Sequence, residues 1–509
     1  MDKKVSIIDL GSNSVRMIVV AVNERGAYRL IDQAKSMDRL GQGMGAEEKI
    51  QEESLARSLS TLKIFKKFVD SYDVDLVIPV ATAALRRASN QKEVLKRIKK
   101  ETGLRFQVLT TDREAYYSYL GVINTLPLED FIMVDIGGGS IQIAKVQNRK
   151  IQQALNLPFG SISLTEKFDL SDEISDTSRQ EALSFLQDSL KKIPWLNKEE
   201  GLPILGLGGT LRRLGRIAQQ RYSFEFNSLH NLHLSPKEAM KIIDELATKT
   251  HGERINTPGL ATDRGDIIIG GLLPLQVLLD HLQPPGFILS TSGLREGLFF
   301  EKFLQDLFPQ PMPIQNVLDH SLYNTLGRYN MNITHAEKIH YISLKLFRAL
   351  QRVHHLSSEY ERVLRTASML HDLGMNVDYY NHHNHSFYLI LHSRIYGLTH
   401  RETILSAFVA GEHRGSSLQQ VHEPYFEKLS PEEKKIIEIL GMFLKIAEML
   451  DRNQYGHLTK ISTFLEERDF TVTLLSSEAI GIEDFSIEPF KEEFFNLFGK
   501  KLHINTDHY

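Results

Sequence analysis

The hydrophobic pattern along the chain changes period twice, and each change marks a different kind of layer. At the start, VSIIDL and VRMIVVAV read as two strands joined by a short turn, and an amphipathic helix follows over 51–72. Strand and helix then alternate, with LVIPVAT as a buried strand, 89–102 as a helix, FQVLT as a strand and 112–125 as a helix. FIMVDIGGGSIQIAKV, at 131–146, restarts the order strand, glycine turn, strand, and helices follow near 178–192 and 235–249. Strands and helices mixed in this order predict an α/β class.

Beyond 305-QDLFPQPMPIQ-315, where three prolines in five positions break any helix and predict a linker, the pattern becomes helical throughout. Helices are predicted over 333–351, 359–375, 385–396, 401–413 and 431–451, the first carrying Ile339, Ile342, Leu346, Phe347 and Leu350 on one face. From about 458, ISTFLEERDFTVTLL alternates as strands, and a helix and KLHIN close a small α+β appendage. The predicted domains are therefore 1–125, 126–305, 316–457 and 458–509. Four units suit a chain of 509 residues.

Composition narrows the setting. No cysteine is present, which excludes disulfides and thiolate metal ligands and fits a reducing compartment. Lys3 and Lys4 lead straight into a strand pattern, without the apolar segment and small-residue cleavage site of a secretory signal. No window offers ~18 uninterrupted apolar residues, so no membrane span and no membrane partner are predicted, and the missing cysteines make a cytoplasmic setting the expectation. A formal charge of −4 says little about polyanions, which local basic clusters must decide.

The first chemical signal is a repeat. The stretch 135-DIGGGS-140 echoes 9-DLGSNS-14, with Asp9, Gly11 and Ser14 matching Asp135, Gly137 and Ser140, and both lie between β-branched runs. Turns of Gly, Ser and Asn let backbone N–H groups converge on one spot, which makes a nest for phosphate oxygens. An Asp just before such a turn can hold Mg²⁺ or its water shell near those oxygens. Two hairpins with the same turn predict two related subdomains.

That arrangement resembles the actin/hexokinase/Hsp70 superfamily, with its two phosphate loops between two lobes. The stretches 205-LGLGGTLRRLGRI-217, 289-LSTSGLREGLFF-300, 82-TAALRRA-88 and 113-REAYYSYLGV-122 make it similar, over nearly the whole length, to the exopolyphosphatase / guanosine pentaphosphate phosphohydrolase family. The resemblance implies two actin-like (ribonuclease H-like) lobes around a cleft, an all-α HD-type domain and a small α+β C-terminal domain. It implies Glu114 as the general base or water-orienting residue and Arg86 as a phosphate ligand. Asp135 would be the Mg²⁺-linked carboxylate, with Gly11, Asn13, Ser14, Gly137, Gly138, Gly139, Ser140, Gly208 and Gly209 around the phosphates. One departure stands out: the family usually continues its second loop to a Glu, and here Gln142 occupies that place, which replaces a charged metal ligand by a neutral carbonyl oxygen. The implied partners are inorganic polyphosphate and guanosine pentaphosphate, with no specific nucleic acid and a homodimeric assembly. Arg86 and Arg87, 96-KRIKK-100 and 212-RRLGR-216 are candidate tracks for a polymer, although such runs are commonly solvated faces.

The helical domain carries a second constellation. His340, His371 and Asp372 of 369-MLHDLG-374, His413 and Asp451 follow the order of the HD metal-dependent phosphohydrolases, and His382, His383 and His385 add further nitrogens. Imidazole and carboxylate donors on packed helices suit Mn²⁺ or Fe. Three functions remain open on sequence: a processive exopolyphosphatase, a polyphosphate- or nucleotide-binding regulator in which Gln142 has weakened the chemistry, and a sugar kinase of the same superfamily.

Overall fold

Each acidic–small turn closes a hairpin in which the residue seven positions after the Asp stands directly opposite it. In β1 (Lys3–Leu10) and β2 (Val15–Val22) the opposed pair is Asp9 and Arg16. In β6 (Phe131–Ile136) and β7 (Ile141–Gln147) it is Asp135 and Gln142. The first sheet adds β3 (Tyr28–Ser36), β4 (Leu76–Ala81) and β5 (Gln107–Val108) in the order β3-β2-β1-β4-β5, with β4 parallel to β1. The second adds β8 (Lys150–Leu157), β9 (Ile204–Leu207), β10 (Leu232–Leu234) and β11 (Phe287–Leu289) in the order β10-β11-β9-β6-β7-β8, with β9 parallel to β6. The sequence repeat is thus a repeat of topology, the two actin-like lobes of an α/β fold.

The computed structural model describes residues 2–45, 47–196, 201–222, 224, 226–414, 423–451, 458–476 and 488–508. They fall into two units, Met1–Val317 and Leu318–Tyr509. Strand periodicity sorts the first unit's core, because alternate side chains leave opposite faces of a sheet. Ile8, Leu10, Val15 and Met17 pack on Leu55, Leu59, Leu62 and Phe65 of the helix Glu52–Ser71. Their neighbours Val5, Ile7, Ile18 and Val20 turn the other way and share one cluster with Phe131, Met133 and Leu205 of the second sheet. Leu120 and Ile123 of the helix Thr111–Ile123 and Leu298 and Phe299 of the helix Leu294–Phe299 fill that middle layer. Two sheets that bury opposite residues of each strand on both sides explain why β1, β2 and β6 read as nearly continuous apolar runs.

The helix Ile268–Leu282 shows a limit of pattern reading. It is buried nearly all round, contains Gly270, Gly271 and Pro274, and so has no polar face to give it a helical stripe. The sequence pattern did not reveal it.

In the second unit the helices Val317–Arg328, Ile333–Ala349, Tyr360–Leu370, His382–His392, His400–Gly411 and Pro431–Leu450 surround a core that includes Leu326, Ile342, Phe347, Leu364, Phe387, Phe408 and Phe443. Val317–Arg328 was not expected. The helix predicted over 385–396 starts earlier, at His382, because His382 and His383 turn inward and are buried. The chain ends in a three-stranded sheet of β12 (Leu458–Leu465), β13 (Asp469–Ser476) and β14 (Lys501–His508), with the helix Glu488–Phe498 crossing from β13 to its parallel neighbour β14. Among the described residues no helix is long and apolar enough to cross a membrane.

One close approach sets the position of the helix that carries Glu114. A Cβ on Gly121 would lie 2.1 Å from the carbonyl oxygen of Gly293, backbone against backbone. Gly121→Ala must therefore push the helix Thr111–Ile123 off the middle layer, and overpacking of this kind costs about 1–3 kcal/mol. The thermal unfolding midpoint of Gly121→Ala is predicted to fall below that of the wild type, and an unchanged midpoint would contradict this packing.

Candidate functional site

The two hairpin turns have the same closure, Gly11 N–H donating to Ser14 O at 3.2 Å and Gly137 N–H donating to Ser140 O at 2.9 Å. Both face one cavity of about 130 Å³, and the first residues of the helix Gly208–Arg221 form a third wall. Gly208 has to be glycine. Its φ is +91°, and a Cβ there would sit 2.6 Å from Ile136 O and 2.8 Å from an Asp135 carboxylate oxygen. A helix N-terminus with no side chain in front of it offers backbone N–H groups and the positive end of the helix dipole to an anion.

Four carboxylates and four guanidiniums line this cavity: Asp9, Glu114, Asp135 and Glu296 against Arg16, Arg212, Arg264 and Arg295. Burial raises the pKa of both Asp9 and Asp135 above the usual carboxylate value. Burial together with the neighbouring Arg16 and Arg295 brings Arg212 down to about 9, and burial with Arg16 brings Arg264 to about 10. Positive charge is crowded here to the point that the guanidiniums oppose one another. Glu114 sits in the first turn of its helix, where Arg86 donates a hydrogen bond to its Oε2 at 2.6 Å. Burial still lifts its pKa to about 7, with Asp135 and Asp9 adding to the rise and Arg86 opposing it. A carboxylate tuned to neutrality is suited to take a proton from water.

Of the residues singled out in the sequence, Gly11, Asn13, Ser14, Glu114, Asp135, Gly137, Gly138, Gly139, Ser140, Gly208 and Gly209 all line the cavity. Arg86 is not on its wall. It stands behind Glu114, donating also to Leu109 O at 3.1 Å, so it positions the carboxylate. Gln142 is buried across the strand pair from Asp135 and is not on the wall either. Of 96-KRIKK-100, Lys96, Lys99 and Lys100 are exposed, while Arg97 bonds to Glu52 at 2.6 Å and to Glu101 at 3.0 Å; this is a solvated helix face. The guanidiniums that sequence reasoning missed are Arg16, Arg264 and Arg295. Arg16 had a signal, since aligning Asp9 with Asp135 places it at the position of Gln142.

The donor set suits a hard cation. Asp9 Oδ1 is buried without a hydrogen-bond partner, and Asp135 faces the same cavity. An orphaned buried oxygen asks for a positive partner, and an all-oxygen set of this kind fits Mg²⁺.

In the second unit His371, Asp372 and Asp451 do come together, but His340 does not join them. The ligand atoms that lie close enough to share an ion belong to His335, His371 and Asp372 and to Asp372, His382 and His413. Five residues along a helix rotate a side chain by about 140°, so His335 and His340 cannot share a face. His335 continues the buried row His335, Ile339, Ile342, Leu346, which was the available signal. His340 instead has Nδ1 3.2 Å from Ser368 Oγ, and burial pulls its pKa to about 4. Asp451 stands behind His335, its Oδ2 2.8 Å from His335 Nδ1. His383 and His385 belong to neither set.

The sequence matches the Ppx/GppA phosphatase family over residues 18–306 and Ppx/GppA phosphatase domain III over residues 317–480. Among solved structures, a Ppx/GppA family member from Aquifex aeolicus is 29% identical with a TM-score of 0.52, over 60% of this chain and 99% of that one. An exopolyphosphatase from Cytophaga hutchinsonii is 25% identical with a TM-score of 0.54, over 60% of this chain and 98% of that one. With the paired turns, the glycine-opened helix and the buried Glu114 already in view, these matches show that the chain belongs to the Ppx/GppA phosphatase family.

Proposed function

We propose that the chain hydrolyses the terminal phosphoanhydride bond of inorganic polyphosphate to release orthophosphate, with guanosine pentaphosphate as a second substrate. The observation that carries this reading is Glu114, which lines the same cavity as Arg16, Arg212, Arg264 and Arg295 and whose pKa burial lifts to about 7. A terminal phosphoryl group in the cavity would meet the N–H groups of both turns and of the helix start, while Arg16, Arg212, Arg264 and Arg295 neutralise its oxygens. Mg²⁺ held by Asp135 and Asp9 would supply further charge neutralisation. Glu114 would take the proton of a water whose oxygen forms the new bond to phosphorus as the bond to the bridging oxygen breaks. Arg86 would hold Glu114 in that orientation. The alternative, a regulator that binds without hydrolysing, draws on Gln142; the seat of Gln142 off the cavity wall and the tuned Glu114 favour hydrolysis.

Three outcomes follow. A base of pKa about 7 must be ionised to act, so kcat/KM for phosphate release should level off above pH 7 and fall by about tenfold per unit well below it. Glu114→Gln should lower turnover by roughly 10²–10⁴ and remove that limb of the profile. Near-normal turnover in Glu114→Gln would reject the assignment. For Gln142, a carboxylate beside Asp135 should tighten the ion site, so Gln142→Glu is predicted to lower the Mg²⁺ concentration for half-maximal phosphate release. An unchanged Mg²⁺ curve would place Gln142 outside the influence of the ion.

A further inference from the structure

The ring nitrogens of the second unit's histidine cluster can be assigned by elimination. His371 Nδ1 lies 2.9 Å from Ser368 O, His382 Nδ1 2.8 Å from Tyr379 O and His413 Nδ1 2.6 Å from Ala410 O. A carbonyl oxygen only accepts, so each Nδ1 carries the proton, and in a neutral ring each Nε2 is then a bare lone pair. His335 is turned the same way by Asp451, which takes its Nδ1 at 2.8 Å. All four Nε2 atoms are thereby aimed inward, held by the backbone or carboxylate contacts that orient metal-ligating histidines.

What they face would be repulsive as it stands. His382 Nε2 and His413 Nε2 are 2.9 Å apart, lone pair toward lone pair. His335 Nε2 and Asp372 Oδ1 are buried without a hydrogen bond. Burying four imidazoles and the three carboxylates of Asp372, Glu448 and Asp451 in a helical interior is costly unless a cation satisfies them.

Asp372 lies between two groups. Its Oδ1 is 3.4 Å from His382 Nε2 and 4.0 Å from His413 Nε2, while its Oδ2 is 3.7 Å from His335 Nε2. His371 Nε2 is 3.5 Å from Asp372 Oδ1, and Glu448 Oε2 is 3.1 Å from the same nitrogen. Ligand atoms bound to one ion at about 2.0–2.2 Å stand at separations of this order. A carboxylate shared by two sets of imidazoles is a bridge.

We propose that the helical unit holds two first-row divalent metal ions bridged by Asp372. One is bound by His335, His371 and Glu448, the other by His382 and His413, and Asp451 acts as the positioning residue for His335. The imidazole and carboxylate donors, with no thiolate in the chain, suit Mn²⁺, Fe²⁺ or Zn²⁺. A cavity of about 240 Å³ reaches His335, His371 and Asp372 past Asn332 and Asn376, so the first ion keeps positions open to water or an anionic oxygen. The proposal is independent of the reaction assigned to the first unit.

The test is metal counting on the full chain, expressed with Mn, Fe and Zn supplied and then desalted. Wild type should carry two more first-row ions per chain than Asp372→Asn, and one more than His413→Gln. A difference of zero between wild type and Asp372→Asn, or of one only, would overturn the bridged pair. Should Asp372→Asn fail to fold, Mn²⁺-loaded wild type decides alone: its paramagnetic resonance spectrum should show exchange coupling between two ions, and signals from isolated Mn²⁺ only would overturn the proposal.

Discussion

Charge taken out of water must be met by opposite charge or by hydrogen bonds, and the first unit is built around one place where that rule is strained. Asp9, Glu114, Asp135 and Glu296 share about 130 Å³ with Arg16, Arg212, Arg264 and Arg295. Desolvation pushes the Asp9, Asp135 and Glu114 carboxyls toward their neutral forms and makes protonation of Arg212 and Arg264 harder. Such a site is unsatisfied by its own residues and is suited to a ligand that brings both a cation and a polyanion. The surrounding architecture keeps it from relaxing. The hairpin turns are pinned by matching backbone bonds, the Gly208 helix start is pressed against Ile136, and the Glu114 helix is wedged where only glycine fits at 121.

The second unit meets the same difficulty with different donors. Its four buried imidazoles are each anchored through Nδ1 and converge through Nε2 on a single Asp372. Imidazole nitrogens around one carboxylate suit another class of ion from the oxygens around Asp9 and Asp135. Two separate buried charge clusters in one chain, with different donor chemistry, are consistent with two separate metal preferences.

The repeat at Asp9 and Asp135 was legible because it lies in the sequence as a repeat, and strand alternation then assigned most of both sheets. Glu114 and the glycines followed from the resemblance that those motifs carry. What pattern could not give was the direction of single side chains. Arg86 and Arg16 look alike in sequence, yet one backs Glu114 and the other lines the cavity, a difference fixed by sheet register and helix packing. His340 stands in the expected order of the histidine motif, while His335 has the right face, and only the row His335, Ile339, Ile342, Leu346 separates them. The helix Ile268–Leu282 escaped because burial nearly all round erases the stripe by which a helix is recognised.

The central claim is that the polyanion is held by the cavity arginines and not by the exposed basic run. It is tested most directly by calorimetric titration of short-chain polyphosphate into two variants, Arg295→Gln at the cavity and Arg97→Gln on the solvated helix. Losing one charge-assisted contact in a buried site is worth about 1.5–3 kcal/mol, so Arg295→Gln should raise Kd by about tenfold or more while Arg97→Gln leaves it near the wild-type value. Weakened binding in Arg97→Gln with unchanged binding in Arg295→Gln would contradict the account.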